Sequence, residues 1–160
     1  MKTHYSNSAT DTQEIAASIA MRLGPGAVVA LHGPLGSGKT TFVKGMAAAL
    51  GIHEVVTSPS FSLVQEYTEG RVPLYHVDLY RVQGPAEAEL LDLAAYLHAT
   101  GITVVEWAER GNELLPPHTL HIHVRVREDL TREIVEHPGN PAHEETYGSA
   151  SWPGPEEAQS

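Results

Sequence analysis

Apolar positions follow two spacings along this chain, and the changes between them mark its elements. Ile15, Ile19 and Leu23 stand four residues apart, on one face of a helix predicted over 10–23. Thr10 and Gln13 offer a capping box at its start. Gly24, Pro25 and Gly26 end it. The run at 27–32, with Val28 beside Val29, predicts a buried strand. A helix over 41–50 follows, stopped by Gly51. Residues 52–62 have no period. Strands at 62–67 and 72–77, with Glu69 and Gly70 between them, suit a hairpin. Pro85 opens a helix reaching 99, with Leu90, Leu93, Ala94 and Leu97 at helical spacing. The segment 102–105 is a second buried-strand pattern. Strands at 119–126 and 131–137 follow, joined by the polar turn 127–129. No internal repeat is present. Strands alternate with helices early and cluster late. That order predicts an α/β sandwich: a mostly parallel central sheet, some antiparallel strands, and flanking helices.

The pattern fails after 136. Residues 137–160 hold four prolines, three glycines and four glutamates, with no Lys or Arg and no apolar period. They are expected to form a flexible acidic tail, Trp152 within it being incidental, which leaves 1–136 as one folded domain. The 41% hydrophobic content suffices for a core. With no cysteine, disulfides and thiolate metal sites are excluded. No apolar run approaches membrane-spanning length and no signal-peptide pattern opens the chain, so a cytoplasmic location is expected. The formal net charge of −10 makes the chain a poor autonomous nucleic-acid binder. Any nucleic acid in its pathway is expected on a partner.

The candidate chemistry lies between the first predicted strand and its helix. Residues 33–40, GPLGSGKT, fit the phosphate-binding (Walker A) pattern at every fixed position. Glycines at 33, 36 and 38 let backbone N–H groups turn inward toward a polyphosphate. Lys39 brings a positive charge to the β- and γ-phosphates, and the Thr40 hydroxyl is a Mg²⁺ ligand. The positive end of the helix that begins here faces the same anion. Strand, glycine loop, helix is the context that gives the motif meaning, and it predicts a P-loop NTPase-like fold.

Hydrolysis needs more than the loop. A carboxylate must reach Mg²⁺, and water must be positioned. Glu106 ends the apolar strand at 102–105, which would set it beside the loop in the crevice where α/β sheets bind ligands. Asp78 follows a similar run, as a metal-water ligand, a water-positioning base, or half of a structural ion pair with Arg81. Ser58, Pro59 and Ser60 lie where nucleotide switches often occur, although their composition alone suits a plain turn. His121 and His123, on one strand face, read as solvent-facing residues of an edge strand rather than metal ligands. His32 and His53 read as incidental.

Taken together, these segments resemble the TsaE (YjeE) family over about 8–136. The resemblance rests on 33–41, on Ser58, Pro59 and Ser60, on HVDLYR at 76–81, and on VEWAER at 105–110. TsaE proteins are small ATPases of the pathway that makes threonylcarbamoyladenosine in tRNA. The resemblance implies that 33–41, including Gly33, Gly36, Ser37, Gly38, Lys39, Thr40 and Thr41, hold ATP, with Ser60 sensing it. Thr40 and Glu106 would ligate Mg²⁺, and Asp78 would be needed for hydrolysis. Trp107 and Arg132 would lie near the nucleotide, and residues 8–10 near the adenine. The implied partner is the TsaB–TsaD heterodimer, which would explain how an acidic protein serves tRNA chemistry. Two positions depart from the family: Ser60 replaces a usual Thr, and Pro34 a common Asp.

Two other uses of the loop are open on the sequence. A small-molecule kinase would need an arginine-rich lid. Only Arg71, Arg81 and Arg110 occur between 52 and 115, and they are not clustered. A GTP switch would carry an N-K-x-D motif, and no lysine follows Lys44.

Overall fold

Strand β2 (Val28–His32) is buried at every residue, because both faces of the sheet around it are covered. In the computed structural model, which describes residues 1–59, 63–82, 93–97 and 100–139, β2 lies between two parallel neighbours. These are β5 (Ile102–Glu106) and β6 (Leu120–Val126). Beyond β5 lie β4 (Leu74–Asp78), also parallel, and then antiparallel β3 (Val64–Tyr67). Beyond β6 lie β7 (Arg132–His137) and β1 (Lys2–Ser6), each antiparallel to its neighbour. The described sheet thus runs β1-β7-β6-β2-β5-β4-β3. A parallel core with antiparallel edges is the predicted class, and the 64–78 hairpin is as predicted.

Helix α1 (Ala9–Ala20) and helix α2 (Lys39–Ala49) cover one face. Phe42 and Met46 of α2 and Ile19 of α1 pack there with Leu31, Val104 and Ile122. Burying Phe42 alone contributes roughly 2–3 kcal/mol. The helices approach closely at Gly45, where an added Cβ would stand 2.4 Å from the Gln13 carbonyl oxygen. On the other face, Val28, Ala30, Val77 and Val105 pack with Leu93 and Leu97 of α3 (Leu93–Leu97) and with Ala108. The rest of the helix predicted over 85–99 lies outside the described residues, apart from this segment. The acidic tail does so from residue 140 onward.

Three local expectations need correction. Helix α1 starts two residues early: Ser8, not Thr10, is its N-cap, its hydroxyl accepting from the Asp11 N–H at 3.0 Å. Asp11 in turn accepts from the Asn7 N–H at 2.9 Å, which closes the turn. Strand β1 is absent from the hydrophobic pattern because only Ser6 in it is buried. It is held by the ladder to β7 and by Glu136, which accepts from His4 at 2.6 Å and from Arg22 of the α1 end at 2.7 Å. Burial raises the Glu136 carboxyl, but those two bonds outweigh it and leave the carboxyl below its ordinary value. Finally, β6 is not an edge strand, because β7 and β1 extend the sheet past it.

Candidate functional site

The glycine loop leaves the carboxyl end of β2 and enters α2 through Gly38, whose φ of 105° suits glycine. Gly36 is also left-handed, with φ 80°. No side chain among the described residues caps α2, and its first ladder bond is Phe42 N–H to the Gly38 carbonyl. The N–H groups of Lys39, Thr40 and Thr41 therefore precede the ladder, at the positive end of the helix. That is an anion cradle made of backbone.

Arg132, at the start of β7, braces the loop from behind. Its Nε donates to the Ser37 carbonyl at 3.2 Å, and a second nitrogen reaches the Gly36 carbonyl at 3.4 Å. Ser37 itself is buried. The Lys39 ammonium donates to the Gly33 carbonyl at 2.7 Å and lies 4.0 Å over the Trp107 ring. Burial lowers the Lys39 pKa, and the carboxylates of Glu106, Glu109 and Asp78 oppose that shift.

The predicted carboxylates meet at the same end of the sheet. Asp78 closes β4, Glu106 closes β5, and the two are register partners on adjacent parallel strands. Asp78 accepts from the Ser58 hydroxyl at 3.0 Å and from the Tyr80 N–H at 2.9 Å. Ser58 thus belongs to the site, where a plain turn was the simpler expectation. Glu106 is buried and bonded to Nε2 of His76. Trp107 follows in a left-handed conformation, φ 57°, which costs a bulky residue of order 1–3 kcal/mol. That conformation accompanies its ring contacts with Lys39 and with Tyr80, whose centroid is 4.9 Å away.

One cavity of about 550 Å³ joins these parts, a size suited to a small molecule. Gly36, Gly38, Lys39, Thr40, Thr41, Asp78, Glu106, Trp107 and Arg132 line it, with Ser58, Tyr80 and Arg81. Gly33 and Ser37 support it through their carbonyl groups. Ser60 lies outside the described residues. The Thr40 hydroxyl and Glu106 carboxylate supply hard oxygen donors of the kind Mg²⁺ takes. Tyr80 and His76 belong to the HVDLYR segment, but the sequence assigned neither a role in the site. His76 stands two residues before Asp78, hence on the same face of a strand, and is buried there rather than solvent-facing.

The other histidines were misread. His32, His121 and His123 are buried, not solvent-facing or incidental. They stack on the sheet face opposite α1 and α2, with His32 centroids 5.2 and 5.3 Å from those of His121 and His123. His32 Nε2 and His121 Nδ1 share a hydrogen bond of 3.0 Å. Burial, reinforced by the neighbouring histidines, holds His32 well below the usual range. Burial, again with neighbouring histidines, lowers His121 and His123 to about 4 each. Among the described residues no group of three or more His, Asp or Glu is arranged to hold a metal ion. No described helix is long and apolar enough to cross a membrane.

A family model described as "Threonylcarbamoyl adenosine biosynthesis protein TsaE" matches residues 6–134. The tRNA threonylcarbamoyladenosine biosynthesis protein TsaE of Bacillus subtilis is 45% identical over 125 residues, covering 78% of each chain. That of Treponema pallidum is 43% identical over 130 residues, covering 81% of this chain and 96% of its own. The crystal structure of Bacillus subtilis YdiB superposes with a TM-score of 0.77 at 37% identity, over 90% of this chain and 89% of that one. The fold, the loop with its two strand-end carboxylates, and these likenesses agree: the chain belongs to the TsaE family of threonylcarbamoyladenosine biosynthesis proteins.

Proposed function

We propose that this chain is a Mg²⁺-dependent ATPase, acting in the cytoplasm as an accessory subunit of the TsaB–TsaD heterodimer. The observation that carries the reading is the register pair Asp78 and Glu106, facing the uncapped N-terminus of α2 across one cavity. In this reading the N–H groups after Gly38 cradle the phosphates, and Lys39 leaves the Gly33 carbonyl to pair with them. Thr40 and Glu106 hold Mg²⁺, which supplies charge neutralisation at the phosphate oxygens. Asp78, fixed by Ser58 and the Tyr80 N–H, orients the attacking water and takes its proton. Trp107 walls one side of the cavity, while Arg132 keeps the loop in shape. TsaE of the curated relatives is named for tRNA threonylcarbamoyladenosine biosynthesis, and the acidic charge of this chain fits contact with tRNA only through partners.

The test is steady-state ATP hydrolysis with Mg²⁺, alone and with a TsaB–TsaD heterodimer, beside a pull-down with and without ATP. Slow turnover alone, and faster turnover with the heterodimer, is expected. No stimulation by a correctly assembled heterodimer would refute the partner assignment.

A further inference from the structure

We infer that His76 is a positioning residue for the Glu106 carboxylate, an inference that rests on the ATPase reading above. His76 is fully buried in the middle of β4, opposite Gln65 on β3 and Val104 on β5. It shares a sheet face with Asp78, two residues on. From there its Nε2 reaches diagonally to Oε2 of Glu106, two residues beyond Val104 on the neighbouring strand.

His76 Nδ1 is buried and has no hydrogen-bond partner among the described residues. An N–H on Nε2 donates to Glu106, and that bond is the one polar contact shown for the ring among the described residues. The carboxylate therefore has one oxygen tied and leaves Oε1 for the cavity that Glu106 lines. A buried carboxylate with no donor would be expensive and free to rotate away. His76 removes both problems without touching nucleotide or water. Ligating carboxylates elsewhere depend on such outer partners for roughly 10- to 100-fold in metal affinity or activity.

The experiment compares wild type with His76→Gln, His76→Asn, His76→Leu and Glu106→Ala. It reads kcat, KM for ATP and the Mg²⁺ concentration at half-maximal rate, with thermal unfolding for each. Gln can set an amide N–H near the Nε2 position, whereas the Asn amide is too short to reach Glu106. H76L and H76N are expected to lose roughly 10- to 100-fold in kcat and to need about tenfold more Mg²⁺, while H76Q stays near wild type. KM for ATP should change little in all three. If H76L does not fold, the contrast between H76Q and H76N decides. Equal kinetics for those two would overturn the inference. Side-chain nitrogen NMR on the wild-type protein gives a second readout: an N–H on Nε2 is expected, and a ring with its only proton on Nδ1 would also overturn it. Failure of the ATPase reading looks different, since then neither wild type nor E106A hydrolyses ATP in Mg²⁺.

Discussion

Histidine is buried in two regions of this sheet, on opposite faces, and its partner decides what it does. On the α1 and α2 face, His76 meets a carboxylate at the lip of the cavity. On the other face, His32, His121 and His123 meet chiefly one another. The first arrangement gives a buried anion its donor. The second packs rings of one kind, each of which would repel the others if charged. The same residue type is thus a support for chemistry in one place and an acid-labile part of the core in the other. Neighbours across strands make that difference, not residue identity.

The largest expected effect falls on the carboxylate side. Asp78→Asn keeps the shape of the site but removes the base, and should lower kcat by roughly 10²–10⁴-fold with nucleotide binding retained. Equal loss of binding, measured by titration with a non-hydrolysable ATP analogue, would make Asp78 a structural residue instead. Next, Lys39→Ala removes a charged partner of the phosphates. It should weaken ATP binding by about 2–3 kcal/mol, and more weakly bound AMP should be far less affected.

Acid separates the two regions most cleanly. The His121 pKa sits at about 4 in the folded chain, below the ordinary 6.5 of an unfolded one. Between those values the unfolded state binds the proton and the folded state does not, so stability rises with pH across that window and is lost as pH falls through it. From His121 alone the loss between pH 7 and pH 5 is about 2 kcal/mol. Denaturant titrations at the two pH values check this. His121→Leu should flatten the dependence while leaving ATP turnover near wild type. A pH slope unchanged in H121L would show that the acid sensitivity arises elsewhere. The smallest effect concerns neither region: Ser8→Ala removes the α1 cap and should cost about 1 kcal/mol in stability, equally at both pH values.

What could be read from the sequence follows the strength of its local signals. The loop at 33–40 was legible because each fixed residue has a backbone or charge requirement that few substitutes meet. Strands β2 and β5 were legible as unbroken apolar runs, and Glu106 as the acid that ends one. Strand β1 was not, because an edge strand of mostly exposed residues carries no alternation and exists through its pairing with β7. That omission had a consequence. Without β1 beyond β7, β6 passed for an edge strand, and its histidines for solvent-facing residues. The α1 cap was misplaced because Thr10 and Gln13 fit a capping box as written, while Ser8 gains a second lock from Asp11 that no pattern of four residues displays. The link from His76 to Glu106 joins residues thirty apart on neighbouring strands, so it becomes visible only once the register of β4 on β5 is known.

The most direct test of the account is the Glu106→Ala variant in a steady-state Mg²⁺-ATP hydrolysis assay with the TsaB–TsaD heterodimer present. Glu106→Ala is expected to fold, to bind ATP and to lose turnover by at least roughly 10²-fold. A rate equal to wild type would contradict it, and would remove Glu106 from the chemistry of the cavity it lines.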